Sequence, residues 1–159
     1  MKTKFLSKIA LIATMILTMA SCSSDDDNGP SNNTGAEIQQ IQNQVESGAW
    51  RITSFIDSGQ DETSDFTGYI FNFNSDGTIV ATNGSNTESG TWSVSSSNSN
   101  DESNNDIDFN IMFNVPDTSD FEDLNDTGWD VISHTEDRLQ LRDVSGGNGG
   151  IDTLTFERN

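Results

Sequence analysis

Alternation of apolar and polar residues at a spacing of two recurs along most of this chain and predicts strands. The clearest run is 107–115, where Ile107, Phe109, Ile111, Phe113 and Val115 share one face and Asp108, Asn110, Met112 and Asn114 the other. In residues 50–57, Trp50, Ile52, Ser54 and Ile56 alternate with Arg51, Thr53, Phe55 and Asp57. In 68–74, Tyr69, Phe71 and Phe73 fall together, and further runs cover 78–83, 88–94, 128–135, 138–144 and 151–158. Asp76-Gly77 and Asn83-Gly84 stand between neighbouring runs, and such dipeptides favour the positive-φ turns that join hairpin strands. Pro116 ends the fifth run, since proline has no N–H to give a ladder. Residues 117–127, with Phe121 and Leu124, read as a short helical or turn crossing, 95–106 as a long polar loop, and 145–150 (SGGNGG) as a flexible hairpin loop.

A helical period precedes the strands. Ile38, Ile41 and Val45 form one apolar stripe, Thr34 and Glu37 have the spacing of a capping box, and Gly48 closes the segment. The opposite face is glutamine and asparagine, and a helix of this length is marginal alone, so the stripe should lie against something apolar.

Eight short antiparallel strands with one apolar face each can bury it by closing on themselves, which also removes both sheet edges. The predicted fold class for residues 37–159 is therefore all-β: an eight-stranded antiparallel up-and-down barrel with a short N-terminal helix. A two-sheet sandwich satisfies the same alternation. The expected interior is Trp50, Phe71, Phe73, Trp92, Phe109, Ile111, Phe113, Trp129, Leu139, Leu141, Leu154 and Phe156. A barrel of this size has room for side chains or for one small ligand.

The first 21 residues are of another kind. Lys2, Lys4 and Lys8 precede an apolar run from Ile9 to Met19, too short for the roughly 20 apolar residues of a membrane span. This is the pattern of a secretory signal peptide. The single cysteine follows at once, and Met19-Ala20-Ser21-Cys22 resembles a bacterial lipobox. The resemblance implies cleavage before Cys22, acylation of its thiol (palmitate or a similar chain) and acylation of the new N-terminus. One chain gives marginal membrane binding at about 0.8 kcal/mol per buried methylene; two or three anchor stably. Ser23, Ser24, Asp25, Asp26 and Asp27 resemble the acidic export signal of Bacteroidetes surface lipoproteins, which implies an outer-membrane anchor at the cell surface. A merely solvated acidic tether is the alternative. Residues 22–36 are thus expected to be an acylated cysteine and a disordered tether.

Charge narrows the partners. The chain carries −19, and loss of residues 1–21 removes every lysine, leaving four arginines against 26 acids, 4 − 26 = −22. Nucleic acid is excluded by sign, and acyl chains must do the anchoring without help from anionic headgroups. A monomer is expected.

Gly48-Ala49-Trp50 resembles the Gly-x-Trp with which lipocalins and the wider calycin group open their first strand, after a short helix that closes one barrel end. A second Gly-x-Trp stands at Gly90-Thr91-Trp92, and residues 57–81 resemble small lipocalin-like lipoproteins of the Bacteroidetes. The resemblance implies that the Trp50 indole packs on an arginine from near the end of the barrel, Arg158 with Arg142 behind it, and that a small apolar or amphipathic ligand is bound. The Thr-Asp-Tyr motif of many lipocalins is absent, so no ligand residue carries over.

Little else points to chemistry. His134 is the only histidine, which with one cysteine excludes an ordinary zinc site, and it is expected to be exposed at a strand end beside Thr135, Glu136 and Asp137. Asp57, Asp61, Glu62 and Asp65 are a weak calcium candidate that lacks the EF-hand spacing; a solvated acidic loop is the alternative. SGGNGG lacks the Lys-Ser/Thr of a phosphate loop. No activated nucleophile or acid–base pair can be named, so neither enzymatic activity nor a cofactor is expected. Two roles remain: a carrier of a small apolar ligand, or an envelope interaction, structural or inhibitor protein with a solid barrel. If Phe71, Phe73, Phe109 and Phe113 fill the lumen, only a shallow pocket is left at an open end bounded by the 57–66 and 95–106 loops.

Overall fold

The computed structural model describes residues 32–96, 107–144 and 150–159. The lipobox, Cys22 and the acidic residues 23–27 lie outside the described residues, as does most of each polar loop at 95–106 and 145–150.

One helix, α1 (Asn32–Glu46), precedes nine strands: β1 (Ala49–Asp57), β2 (Gln60–Asp61), β3 (Ile70–Phe73), β4 (Thr78–Thr82), β5 (Thr87–Ser96), β6 (Ile107–Phe113), β7 (Asp126–Thr135), β8 (Arg138–Val144) and β9 (Ile151–Arg158). From β3 onward each strand pairs antiparallel with its successor, and β9 returns to β1 from Trp50↔Arg158 to Ile56↔Thr153. This closes an eight-stranded barrel as the alternation predicts, with β2 a two-residue extension folded back on the tip of β1. No sandwich forms.

Every residue of the expected interior is buried. The parity of β1 is not the expected one. A bulge between Ile52 and Ser54 shifts the register against β9, so Trp50 and Ile52 point inward but Phe55 takes the next interior place. One extra residue swaps the faces of a strand; burying the Phe55 ring instead of the Ser54 hydroxyl is the favoured outcome. Thr155, opposite the bulge, is the buried polar residue among the described ones. A second bulge between Val131 and Ser133 leaves Ile132 outside, 46% exposed.

The helix also differs at its start. It begins at Asn32, so residues 32–36 belong to it rather than to a tether, and Thr34 sits inside the first turn instead of capping it. Asn32, Asn33, Thr34 and Gly35 are all weak helix formers, so the extra turn is not what local propensity predicts, with Ala36 alone strongly favouring it. The stripe does find an apolar partner: Ile41 and Val45 are fully buried across one end of the barrel. That end carries the start of β1, the β3–β4 turn, the β5 and β6 termini paired at Ser96↔Ile107, and the β7–β8 turn. The opposite end is covered by the 3-10 turn Thr63–Phe66 and by the 114–125 crossing, which bury Phe66, Phe121 and Leu124. Three turn bonds, Ser119 N–H to Pro116 O, Glu122 N–H to Ser119 O and Asn125 N–H to Glu122 O, wind that crossing.

Each tryptophan ties a closure to the wall. The indole N–H of Trp50 donates to Val45 O at the end of α1 (2.9 Å), that of Trp129 to Leu124 O in the crossing (3.2 Å), and that of Trp92 to Asn74 O in the β3–β4 turn (3.0 Å). These donors are buried or nearly so, where an unpaired N–H would be costly.

Candidate functional site: the barrel interior and the helix-bearing rim

The lumen is occupied by rings in unbroken contact. From the helix-bearing end, Trp92 meets Phe73 (5.4 Å between centroids), Phe73 meets Phe156 (5.5 Å) and Phe156 meets Phe71 (5.4 Å). Phe71 meets Phe121 (6.1 Å), Phe121 meets Phe66 (5.3 Å), Phe66 meets Phe55 (5.6 Å) and Phe55 meets Trp129 (6.5 Å). Phe109 and Phe113 join from β6. Nearly all of these pairs are edge-to-face, the arrangement the ring quadrupole favours. The described parts of the two segments expected to bound a shallow pocket, 57–66 and Ser95-Ser96, stand at opposite ends of the barrel and share no pocket, and Phe66 and Phe121 plug the 57–66 end.

At the other rim, the guanidinium of Arg158 lies over the Trp50 ring at 5.3 Å; Arg142 instead pairs with Asp130 at 3.1 Å. Arg158 donates from Nε to Glu136 O (3.0 Å), from Nη1 to Ser47 O (3.2 Å) and from Nη2 to Ser47 Oγ (2.9 Å). It thereby joins the helix C-terminus, the β7–β8 turn and the seam between β1 and β9. Gly48 is part of this device for a steric reason. Its backbone is not in the left-handed region, but a Cβ there would stand 2.6 Å from Arg158 Nη1. The glycine leaves space for the guanidinium. The second Gly-x-Trp glycine answers a different need: a Cβ on Gly90 would meet the Met112 carbonyl oxygen of β6, so no side chain fits between β5 and β6 there.

His134 is not exposed as expected; its side chain is only 13% accessible. α1 lies over it, with Gln44 Oε1 3.0 Å from Nδ1 and the Glu37 carboxylate 3.6 Å from Nε2. Gln44 also donates to Arg138 O at 3.3 Å. The polar helix face that reads as solvated thus contains the docking contacts. Beside it lies an open groove of about 530 Å3 between α1 and the β7–β8 turn.

The acids of the far end form a repelling group. Partial burial, and then Asp57, Asp123, Asp65 and Asp120, raise the Glu62 carboxyl above the ordinary range. Burial followed by Asp57 and its neighbours does the same to Asp123. Asp61 is held lower because it accepts from Thr63, through the hydroxyl and then the backbone N–H. Among the described residues no group of three His, Cys, Asp or Glu side chains is arranged to hold a metal ion, so Asp57, Asp61, Glu62 and Asp65 form no cage there. Neighbours that sequence reasoning missed include Asp120, Glu122 and Asp123. They come from the crossing more than fifty residues away, and no local spacing signals them.

Fold and interior together define a closed antiparallel β-barrel packed with aromatic side chains, with α1 lying across one end and Phe66 and Phe121 filling the other among the described residues. No protein-family model matches the chain, and no curated protein does. Among solved structures, the chain is similar to a DUF4847 family protein from Bacteroides vulgatus ATCC 8482, with 16% identity over 75% of this chain and 97% of that one, and a TM-score of 0.46.

Proposed function

We propose that this protein is a non-enzymatic outer-membrane lipoprotein, anchored through acyl chains on Cys22, whose lipocalin-like barrel is a solid scaffold and makes its contacts through its outer surface. The observation that carries the choice between carrier and scaffold is the ring network from Trp92 to Trp129, which occupies the space an apolar ligand would need. The anchoring part is supported by the lipobox-like Met19-Ala20-Ser21-Cys22, and display at the cell surface by Ser23-Ser24-Asp25-Asp26-Asp27. Among the described residues no helix is long and apolar enough to cross a membrane, so in this reading the lipid is the attachment. The protein works as a monomer with no cofactor, and its acidity keeps it from nucleic acid.

Anchoring is tested by feeding an alkyne-palmitate to cells that carry the wild type or Cys22→Ala. The wild type should be labelled and fractionate with the outer membrane, and the variant should be unlabelled and released. Equal labelling, or a mature N-terminus elsewhere, would overturn the assignment. Protease treatment of intact cells should remove the wild-type domain if it is displayed outward.

A further inference from the structure

We infer that the groove between α1 and the β7–β8 turn is a binding site for a neutral polyhydroxylated ligand, of the chemical class of a short saccharide. The inference rests on the reading that recognition occurs on the exterior of the barrel. At about 530 Å3 the groove falls within the size range of small-molecule sites. Its walls are held by contacts that do not use the free lining groups. Gln44 is engaged by His134 and Arg138 O, and Ser47 by Arg158, which also bonds Glu136 O and lies 3.4 Å from the Asp137 carboxylate. Little ordering is therefore left to be done on binding.

What faces the space is a set of unengaged hydrogen-bonding groups. Gln40 and Asn43 stand three residues apart on one helix face, and among the described residues nothing bonds to their carboxamides or to the Thr135 hydroxyl. Each carboxamide offers donors and acceptors together, and Glu136 and Asp137 add acceptors across the groove. A ligand bearing several hydroxyls, each both donor and acceptor, can satisfy such a mixed set. An apolar ligand would strip water from these groups without replacing it. An anion would face two carboxylates on a strongly acidic protein, and for a cation the Asp137 carboxylate is already taken up by Arg158 at 3.4 Å, which among the described residues leaves Glu136 as the one unpaired charge of the lining.

The test is saturation-transfer NMR on the purified chain with maltose, cellobiose, lactose and N,N′-diacetylchitobiose at millimolar concentration, with spermidine and hexanoate as cationic and apolar probes. At least one disaccharide should show transfer. The Gln40→Ala/Asn43→Ala double variant, changed only at exposed helix positions, should keep its melting temperature and bind that sugar roughly tenfold to a hundredfold more weakly, as expected for two lost hydrogen bonds. No transfer to any disaccharide, transfer unaffected by the double variant, or transfer to spermidine or hexanoate alone would each overturn the proposal. None of these results would show a molecule inside the barrel, so the solid-scaffold reading is judged separately by lumen occupancy.

Discussion

Gly48→Ala should destabilise the wild type and stabilise an Arg158→Ala variant. The reversal follows from geometry at one atom pair. The new Cβ would lie 2.6 Å from Nη1, so the guanidinium must retreat by about 0.8 Å to reach an ordinary contact, which breaks the 3.2 Å bond to Ser47 O. A hydrogen bond from a charged donor is worth about 1.5 kcal/mol at the low end fitting a partly exposed site. Against that, replacing glycine at a position outside the left-handed region gains about 0.4–1 kcal/mol by restricting the unfolded chain. The net in the wild type is a loss of about 0.5–1 kcal/mol. Arg158→Ala alone removes three hydrogen bonds and the contact with Trp50, at 30% side-chain exposure, and should cost about 2–3 kcal/mol. Apart from the guanidinium no heavy atom beyond the chain neighbours stands closer than 3.5 Å to the Gly48 Cβ position, an ordinary contact, so with Arg158 truncated the same Gly48→Ala should stabilise by about 0.4–1 kcal/mol. Urea denaturation followed by tryptophan fluorescence on the four proteins of the cycle measures this. Additive effects, with Gly48→Ala equally harmful in both backgrounds, would refute the claim that the glycine makes room for Arg158.

Three further outcomes are expected. Phe71→Ala, at a fully buried ring touching Phe113, Phe121 and Phe156, should cost about 3–5 kcal/mol in the same assay, and a loss below about 1 kcal/mol would place it outside the packed network. Glu62 and Asp123 have raised carboxyls, so the folded state binds protons more readily than the unfolded one, and their contribution to stability falls as pH rises through the folded pKa. Glu62→Gln should therefore raise the melting temperature at neutral pH, and the gain should shrink on acidification or added salt; a lower melting temperature at neutral pH would count against the repulsion. Trp129→Phe deletes the donor to Leu124 O and leaves a smaller ring in a buried site, so amide exchange in the 114–125 crossing should accelerate at least roughly tenfold, the hydrogen bond alone being worth about 1 kcal/mol.

The interior was legible because alternation reports which face is buried, and Phe71, Phe73, Phe109, Phe113, Leu139 and Leu141 needed nothing more. Phe55 was not, because the bulge that turns it inward depends on the register with β9, about a hundred residues on. The covered position of His134 was hidden for a related reason. A glutamine-rich helix face reads as solvent-facing until the helix is seen lying over the β7–β8 turn. Gly48, Trp50 and Arg158 were nameable together through resemblance alone; that the glycine's missing Cβ is what admits the guanidinium required coordinates. Trp129 was read as a core residue, and its hydrogen bond to Leu124 O is invisible to periodicity because the partner is a backbone carbonyl in an irregular segment.

The solid barrel is tested most directly by native mass spectrometry of the domain purified from its own host, with cis-parinaric acid titrated into the same sample. The ring network predicts a mass equal to the polypeptide plus its N-terminal acyl groups, and no rise in parinarate fluorescence as the probe is added. A retained apolar molecule, or saturable parinarate binding that Phe71→Ala enhances and Phe71→Trp abolishes, would show that the lumen opens to ligand and would contradict the scaffold reading.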